Sequence, residues 1–419
     1  MTTTNGIATP TELADRDGLG RPSPNPQSRT PSPPSCVQLE LIRAATLAPS
    51  PDNNQPWRFR FDEGKLLVYE DRGRALPSDV CSMFGMLALG AAVENVVIEA
   101  TRHGLAADVQ SLEDGPPGPS EIANCKLTES PRPPTPDPQP LSAVAEIRFA
   151  PSTEHDRLAD FLAARCTNRH PYSRGPLARE ALDCMTSAVT RFDGCAATWL
   201  TNRSAIRRLS KLVAVADRLR FEREEFHAEL FRQLRLTPAE AERTRDGLDL
   251  RTLGLPPGGG LMLRSLTSWP LVRFFNHFGL SHVLTAPSGA LLRKSGAIGV
   301  LTVAHATAPS FFAAGRAFQR LWLTATELGL ALHPLGSLPI FVGHHELLVG
   351  RALDPAAIQN PKSKIQNRHH ARLAANVSHA FRELLPEVAT QTLVMAFRIG
   401  SPKRDCTRSL RREVNEVLV

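Results

Sequence analysis

The sequence predicts an α+β protein rather than a doubly wound parallel sheet. Helical and strand patterns alternate irregularly along the 419 residues, and the clearest strand pair is closed by a tight turn instead of a crossover helix. An apolar share of 42% is ordinary for a folded chain of this length, which can bury one large core or two smaller ones. No internal repeat is visible in the sequence.

Residues 1–35, with "RPSPNPQSRTPSPPS", hold too few apolar side chains to order themselves and read as a disordered tail. Order is expected from Cys36. "VQLELIRAATLA" has apolar residues at helical spacing and stops at Pro49. The loop "APSPDNNQP" follows. "WRFRF" and "KLLVYE" form a hairpin about "DEG". "CSMFGMLALGAAVENVVIEATRHG" is a buried helix closed by Gly104, and "LAADVQSL" is a strand. The apolar run in that helix ends at Glu94, too short to span a bilayer. A first half therefore covers 36–112. Pro-rich residues 113–150 read as a connector to a second half, 151–419.

The second half begins with "DRLADFLAARC", expected to be helical, then "TNRHPYSRGPL", a helix and the strand "AATWL". Residues from about 202 to 290 are charged and helical, then Gly-, Pro- and aromatic-rich, and read as a lid-like insertion. Thr237 and Glu240 in "TPAE" mark a helix start there. The core resumes with "GAIGVLTVA", the helix "FFAAGRAFQRLWLTATELG", the loop "HPLGSLP", a helix near 371–384, the strand "TLVMAFRIG" and a basic tail.

The net charge of +7 comes from scattered Arg, which favours an anionic ligand over nucleic acid. Seven Cys without a C-x-x-C suggest free thiols in a reducing compartment rather than a disulfide framework or zinc site. The N-terminus lacks a secretory apolar region. A cytoplasmic protein without a nucleic-acid or membrane partner is expected. "GHHE" and "NRHH" lack supporting ligands at metal spacing, and Walker, G-x-S-x-G and dinucleotide fingerprints are absent.

Four segments are candidate binding elements. In "RCTNRHP", Arg165, Thr167 and Arg169 are two apart and project to one side of an extended chain, as a phosphate clamp requires. In the Pro-stiffened loop, Pro49, Ser50, Asn53, Asn54 and Gln55 offer pre-organised donors and acceptors to a flat heterocycle. Pro334, Leu335, Gly336 and Ser337 form a tight loop where glycine permits close approach to a ligand. Arg408, Arg411 and Arg412 close the chain. Taken singly, the first, third and fourth also read as ordinary solvated loops or turns. No side chain stands out as catalytic, and no metal ligands are assigned.

In order, these segments resemble the nitroreductase family of FMN-dependent oxidoreductases. "AATLAPSPDNNQPWRF" is similar to its signature loop, and "RCTNRHP" to its phosphate motif, with Thr167 in place of Ser. "GLALHPLGS" and "RSLRREVNEVL" resemble the loop beside the reactive flavin edge and the closing basic segment. The likeness is strongest to Acg-type members, which join two such halves and carry a long lid. The resemblance implies a mixed, mainly antiparallel sheet flanked by helices, with the two halves forming an internal pseudo-dimer that needs no second copy. It implies that Arg165, Thr167, Arg169 and one or both of Arg411 and Arg412 hold the phosphate of FMN, that Ser50, Asn53 and Gln55 bond its ring or ribityl chain, and that Gly336 and Ser337 lie near N5. It further implies electrons from NAD(P)H, a ping-pong route, and a small electron-poor acceptor. "TRFDGCAATWL" lacks the amides of a second such loop, so one complete site is expected. A lid over the flavin, and Gly at 336 where some members place an acid, leave two alternatives: a non-catalytic FMN-binding or storage protein, and a partner-binding module.

Overall fold

Helix α1 (Cys36–Thr46) is closed at its start by a reciprocal cap in the computed structural model, which describes Met1 and residues 35–112, 141, 143–343 and 361–419. Gln38 N donates to Ser35 Oγ at 3.2 Å, and Ser35 N donates to Gln38 Oε1 at 2.6 Å. Strands β1 (Trp57–Asp62) and β2 (Lys65–Glu70) form the expected hairpin, with Glu63 and Gly64 at φ 47° and 82° in a left-handed turn. Helix α2 (Met83–Ala100) leads to β3 (Leu105–Ser111) and β4 (Ala143–Pro151). The four strands are antiparallel in the order β1-β2-β4-β3.

Strand β4 corrects the reading of 113–150 as connector. Residues 143–150 lie inside the first sheet, pairing with both β2 and β3. The rest of that connector, apart from Leu141, and nearly all of the tail at 1–35 lie outside the described residues. "DRLADFLAARC" is also corrected. It forms only a 3-10 turn, Arg157–Phe161, which packs Leu158, Ala159 and Leu162 against Ala44, Ile98 and Leu323.

The second half repeats the first. Helix α3 (Arg179–Val189) precedes β5 (Cys195–Leu200). Between β5 and its partner come α4 (Arg203–Glu222), α5 (Glu224–Gln233), β6 (Leu234–Arg235), α6 (Pro238–Thr244), β7 (Leu248–Asp249), α7 (Gly259–Ser265), α8 (Trp269–Asn276) and α9 (Leu280–Arg293). Then follow β8 (Ala297–Val303), α10 (Ala308–Glu327), β9 (Ala331–Pro334), α11 (Ser337–Gly343), α12 (Pro361–Leu384), β10 (Thr392–Gly400) and α13 (Val414–Val417). The sheet order is β5-β8-β10-β9, again first, second, fourth, third, with a core helix between the second and third strands. Where β1 and β2 are joined by two residues, β5 and β8 are joined by 201–296. The lid is therefore an enlarged hairpin connection.

The halves meet through α2 and α10, at a crossing that only glycine allows. A Cβ on Gly90 would lie 2.0 Å from the Phe312 carbonyl oxygen, and one on Gly315 2.2 Å from that of Leu87. Buried polar groups fix the register. Glu94, fully buried, accepts from Arg316 Nε at 2.7 Å and from Arg320, and Gln319 donates to Asn95 at 2.6 Å. The segment Met83–His103 is long and apolar enough to cross a membrane, but 89% of its apolar window is buried within the protein.

Candidate functional site

Both halves and the lid wall one cavity of about 340 Å³. The loop after α1 supplies Pro49, Ser50, Asp52 and Asn53. The segment before α3 supplies Arg165, Thr167 and Arg169, and the end of β9 supplies His333 to Ser337. Phe318 and Trp322 of α10 form an apolar wall, and Ser409 and Arg411 approach from the C-terminal segment. A bridge from Thr167 to Leu332, with Asn168 N donating to Leu332 O at 3.1 Å, holds the arginine segment against β9.

Asp52 faces Arg169 at the cationic end of the cavity, but Arg165 and Arg411 are opposed by like charge. Arg165 is 2% exposed and lies over the Trp322 ring at 4.6 Å. Its Nη2 donates to Leu47 O at 2.7 Å, while its buried Nε has no partner. Burial, then Arg411 and Arg408, hold its pKa well below the ordinary value. Burial and Arg408 likewise bring Arg411 down to about 10, and its Nε is also buried without a partner. Among the described residues no carboxylate offsets either one. Unpaired buried guanidinium groups are costly, and an anion with several acceptor oxygens is the partner that satisfies them.

The amide loop works differently from the expectation. Asn53 accepts from Arg411 Nη1 at 2.6 Å and donates to the carbonyls of Gly247 and Leu410, each at 3.1 Å. Gln55 is fully buried; it donates to Arg245 O at 2.9 Å and accepts from Arg412 N at 2.9 Å. Asn54 donates to Arg74 O at 2.7 Å. The side chains therefore staple the lid and the C-terminal segment to the loop. Asn54, Gln55 and Arg412 do not line the cavity, which corrects their assignment as ligand contacts; Arg412 instead reaches Glu416 O at 2.6 Å. Asp52, Asn53 and Gln55 have φ values of 47°, 57° and 52°, a left-handed backbone held in place by these bonds.

Two residues at the site were passed over in the sequence. Arg398, fully buried on β10, donates to His170 O and Asn168 O and lies 4.1 Å from the centre of the Tyr172 ring. Its Nε donates to His333 Nδ1 at 3.0 Å. Burial, Arg398 and Arg169 push the His333 pKa well below the usual range, so the ring is neutral and its proton sits on Nε2. A lone Arg in the apolar pattern "TLVMAFRIG" and a His in "ALHP" were the available signals.

The lid lines the cavity with Asp217, Arg220, Leu230, Leu248, Ser288, Leu291 and Leu292. It is fastened by Arg220 to Asp52 at 3.5 Å, Arg74 to Asp246 at 2.8 Å, Ser78 to Glu229 at 2.6 Å, Arg169 to Thr252 O at 3.0 Å, and Ser337 to Asp217. One expectation on the cysteines is overturned: Cys166 and Cys406 form a disulfide, with Cα atoms 6.5 Å apart. It ties the arginine segment to the C-terminal segment across 240 residues, a separation that hides the pair in the sequence. Among the described residues no cluster of metal-ligating side chains occurs.

No family model matches the chain. It is 26% identical over 322 residues, 76% of its length, to an uncharacterized protein of Mycobacterium tuberculosis strain CDC 1551 / Oshkosh, covering 41% of that protein. It is 24% identical over 212 residues, 48% of its length, to a Mycobacterium tuberculosis protein carrying the provisional name NAD(P)H nitroreductase acg, covering 55% of it. The chain thus spans about half the length of the curated relatives it matches. Among solved structures, an FMN-dependent nitroreductase, NfnB, of Mycobacterium smegmatis in complex with NADPH superposes with TM-score 0.33 at 16% identity, over 62% of this chain and 96% of that one. A nitroreductase with bound FMN from Desulfitobacterium hafniense DCB-2 gives 0.33 at 11% identity, over 62% and 96%. The fold described above rests on the strand order and the helix crossing rather than on these superpositions.

Proposed function

We propose that the chain is a nitroreductase-type flavoprotein whose cavity holds one FMN between its halves, and that it is an FMN-dependent NAD(P)H oxidoreductase. The observation that carries this reading is a pair of uncompensated arginines, buried Arg165 and half-buried Arg411, beside an apolar wall of Phe318 and Trp322. An anion joined to a flat apolar body fits both ends. The names of the relatives and neighbours are consistent with that class of ligand.

Arg165, Arg411 and Thr167 would hold the phosphate, with Arg169 nearby. Bound there, FMN would supply hydride-transfer chemistry between NAD(P)H and a small electron-poor acceptor. The chain's own part is positioning. Ser50 and the backbone at Gly336 and Ser337 border the cavity, where a Cβ on Gly336 would meet nothing within 4 Å. His333 offers Nε2–H as a neutral donor, and the lid adds leucine side chains to the cavity wall. Because both halves reside in one chain, a monomer suffices. The tandem arrangement resembles the Acg-type members, and the expected cellular setting is cytoplasmic.

The lid favours a second reading, a protein that binds or stores FMN without turnover. Leu230, Leu248 and Leu291 line the cavity from the lid side, where they would compete with a nicotinamide for the flavin face. The test is the visible spectrum of the purified protein. Yellow protein that bleaches with NADPH and recovers with a nitroarene supports the oxidoreductase. Yellow protein reduced only by dithionite supports storage. Failure to take up FMN ends both readings and leaves the partner-binding module.

A further inference from the structure

Seven of the twelve exposed large hydrophobic residues among those described lie between 261 and 283, all on the lid. Leu261 is 73% exposed, and Phe274 and Phe278 are 58% and 76% exposed. The Phe274 ring touches those of Phe275 and Phe278, with centroids 5.3 and 5.4 Å away, and helix α8 buries only Val272. Concentration of this kind is unusual on a free surface and marks a docking face.

Charge identifies the partner. No Asp or Glu occurs from 250 to 326. Arg264 and Arg273 are exposed beside the rings. A second copy of the same face would set cation against cation with no acid in the segment to offset them. A neutral apolar partner would leave the arginines without a role. Protruding aromatic and aliphatic side chains in a segment whose charged groups are all basic suit the boundary between lipid headgroups and acyl chains, with anionic headgroups supplying the counter-charge.

We propose that the lid face carrying Leu261, Phe274, Phe275 and Phe278, with Arg264 and Arg273, docks on an anionic lipid surface. No helix crosses the bilayer in this mode. The expectation of no membrane partner came from the lack of a spanning segment, and the face is of another kind. Helix α9 links it to the cavity: it exposes Val283 outward and lines the cavity with Ser288.

The test is co-sedimentation of the full chain with vesicles of phosphatidylcholine, alone or containing about one third phosphatidylglycerol. Binding to the anionic vesicles is expected to be at least about tenfold tighter than to the neutral ones, and to weaken at high salt. The double variant Phe274→Asp, Phe278→Asp is expected to lose binding. Arg273→Gln, which keeps the apolar face, is expected to weaken it about fivefold. Unchanged melting temperatures would show that both variants fold. Wild-type protein that stays in solution with anionic vesicles overturns the proposal, as does binding that none of the substitutions alters. A wild-type dimer that the double variant converts to monomer, without vesicle binding, assigns the face to a second copy instead.

Discussion

Arg165→Met separates a ligand-binding role from a structural one, because the two predict opposite signs. Arg165 is 2% exposed, and its charge is opposed by Arg411 and Arg408 with no carboxylate nearby. Its guanidinium lies over the Trp322 ring, a contact that the methionine sulfur replaces in part. Removing the charge relieves repulsion and desolvation, and loses one bond to Leu47 O. The ligand-free protein should therefore melt no lower than wild type. The ligand loses one charge-assisted partner of about 1.5–3 kcal/mol, or a roughly 10- to 100-fold weaker FMN affinity. Flavin fluorescence titration gives the affinity, and thermal unfolding without FMN gives the stability. Unchanged affinity together with a melting point several degrees lower would refute the reasoning and make Arg165 a structural residue.

Gly315→Ala should destabilise the chain by about 3 kcal/mol in urea unfolding, because its Cβ meets the Leu87 carbonyl oxygen at 2.2 Å, whereas Gly175→Ala, with open space around it, should be neutral. Asp79 is pushed up to about 7, chiefly by burial, against an ordinary 3.8. A raised folded-state value favours the protonated form, so its contribution is complete below about pH 4 and is lost as pH rises through about 7. Asp79→Asn should flatten the fall in melting temperature across that window. Asn53→Ala removes the bonds to Gly247, Leu410 and Arg411, and hydrogen exchange at the amides of Gly247 and Arg412 should quicken while the sheets stay protected.

Local pattern carried much of the fold. Period-two alternation and Gly64 specified the β1–β2 hairpin, and Gly104 and Gly329, at φ 67° and 68°, ended the two core helices as their positions suggested. No sequence repeat marked the repeated topology, and only the family resemblance led to an expectation of two like halves, because what the halves share is strand order and a glycine crossing. Strand β4 was hidden by the Pro-rich stretch before it. "DRLADFLAARC" has helical spacing, but its packing against α10 stops it at one turn.

At the site, the residue types were legible and their direction was not. Arg165, Thr167, Arg169 and residues 334–337 line the cavity, as do Pro49, Ser50 and Asn53. Asn54, Gln55 and Arg412 face other protein groups, since a buried amide takes whatever backbone partner is nearest, and those partners come from 190 to 357 residues away for Gln55. The link between Cys166 and Cys406 and the neutral state of His333 both depend on tertiary neighbours that spacing cannot supply.

A side-by-side titration with FMN and riboflavin bears most directly on the claim that two unlike halves close one phosphate-bearing cavity. The account predicts one FMN per chain, with riboflavin bound about 100-fold more weakly for want of the phosphate that Arg165 and Arg411 require. Equal affinity for the two compounds, two FMN per chain, or binding of neither would contradict it.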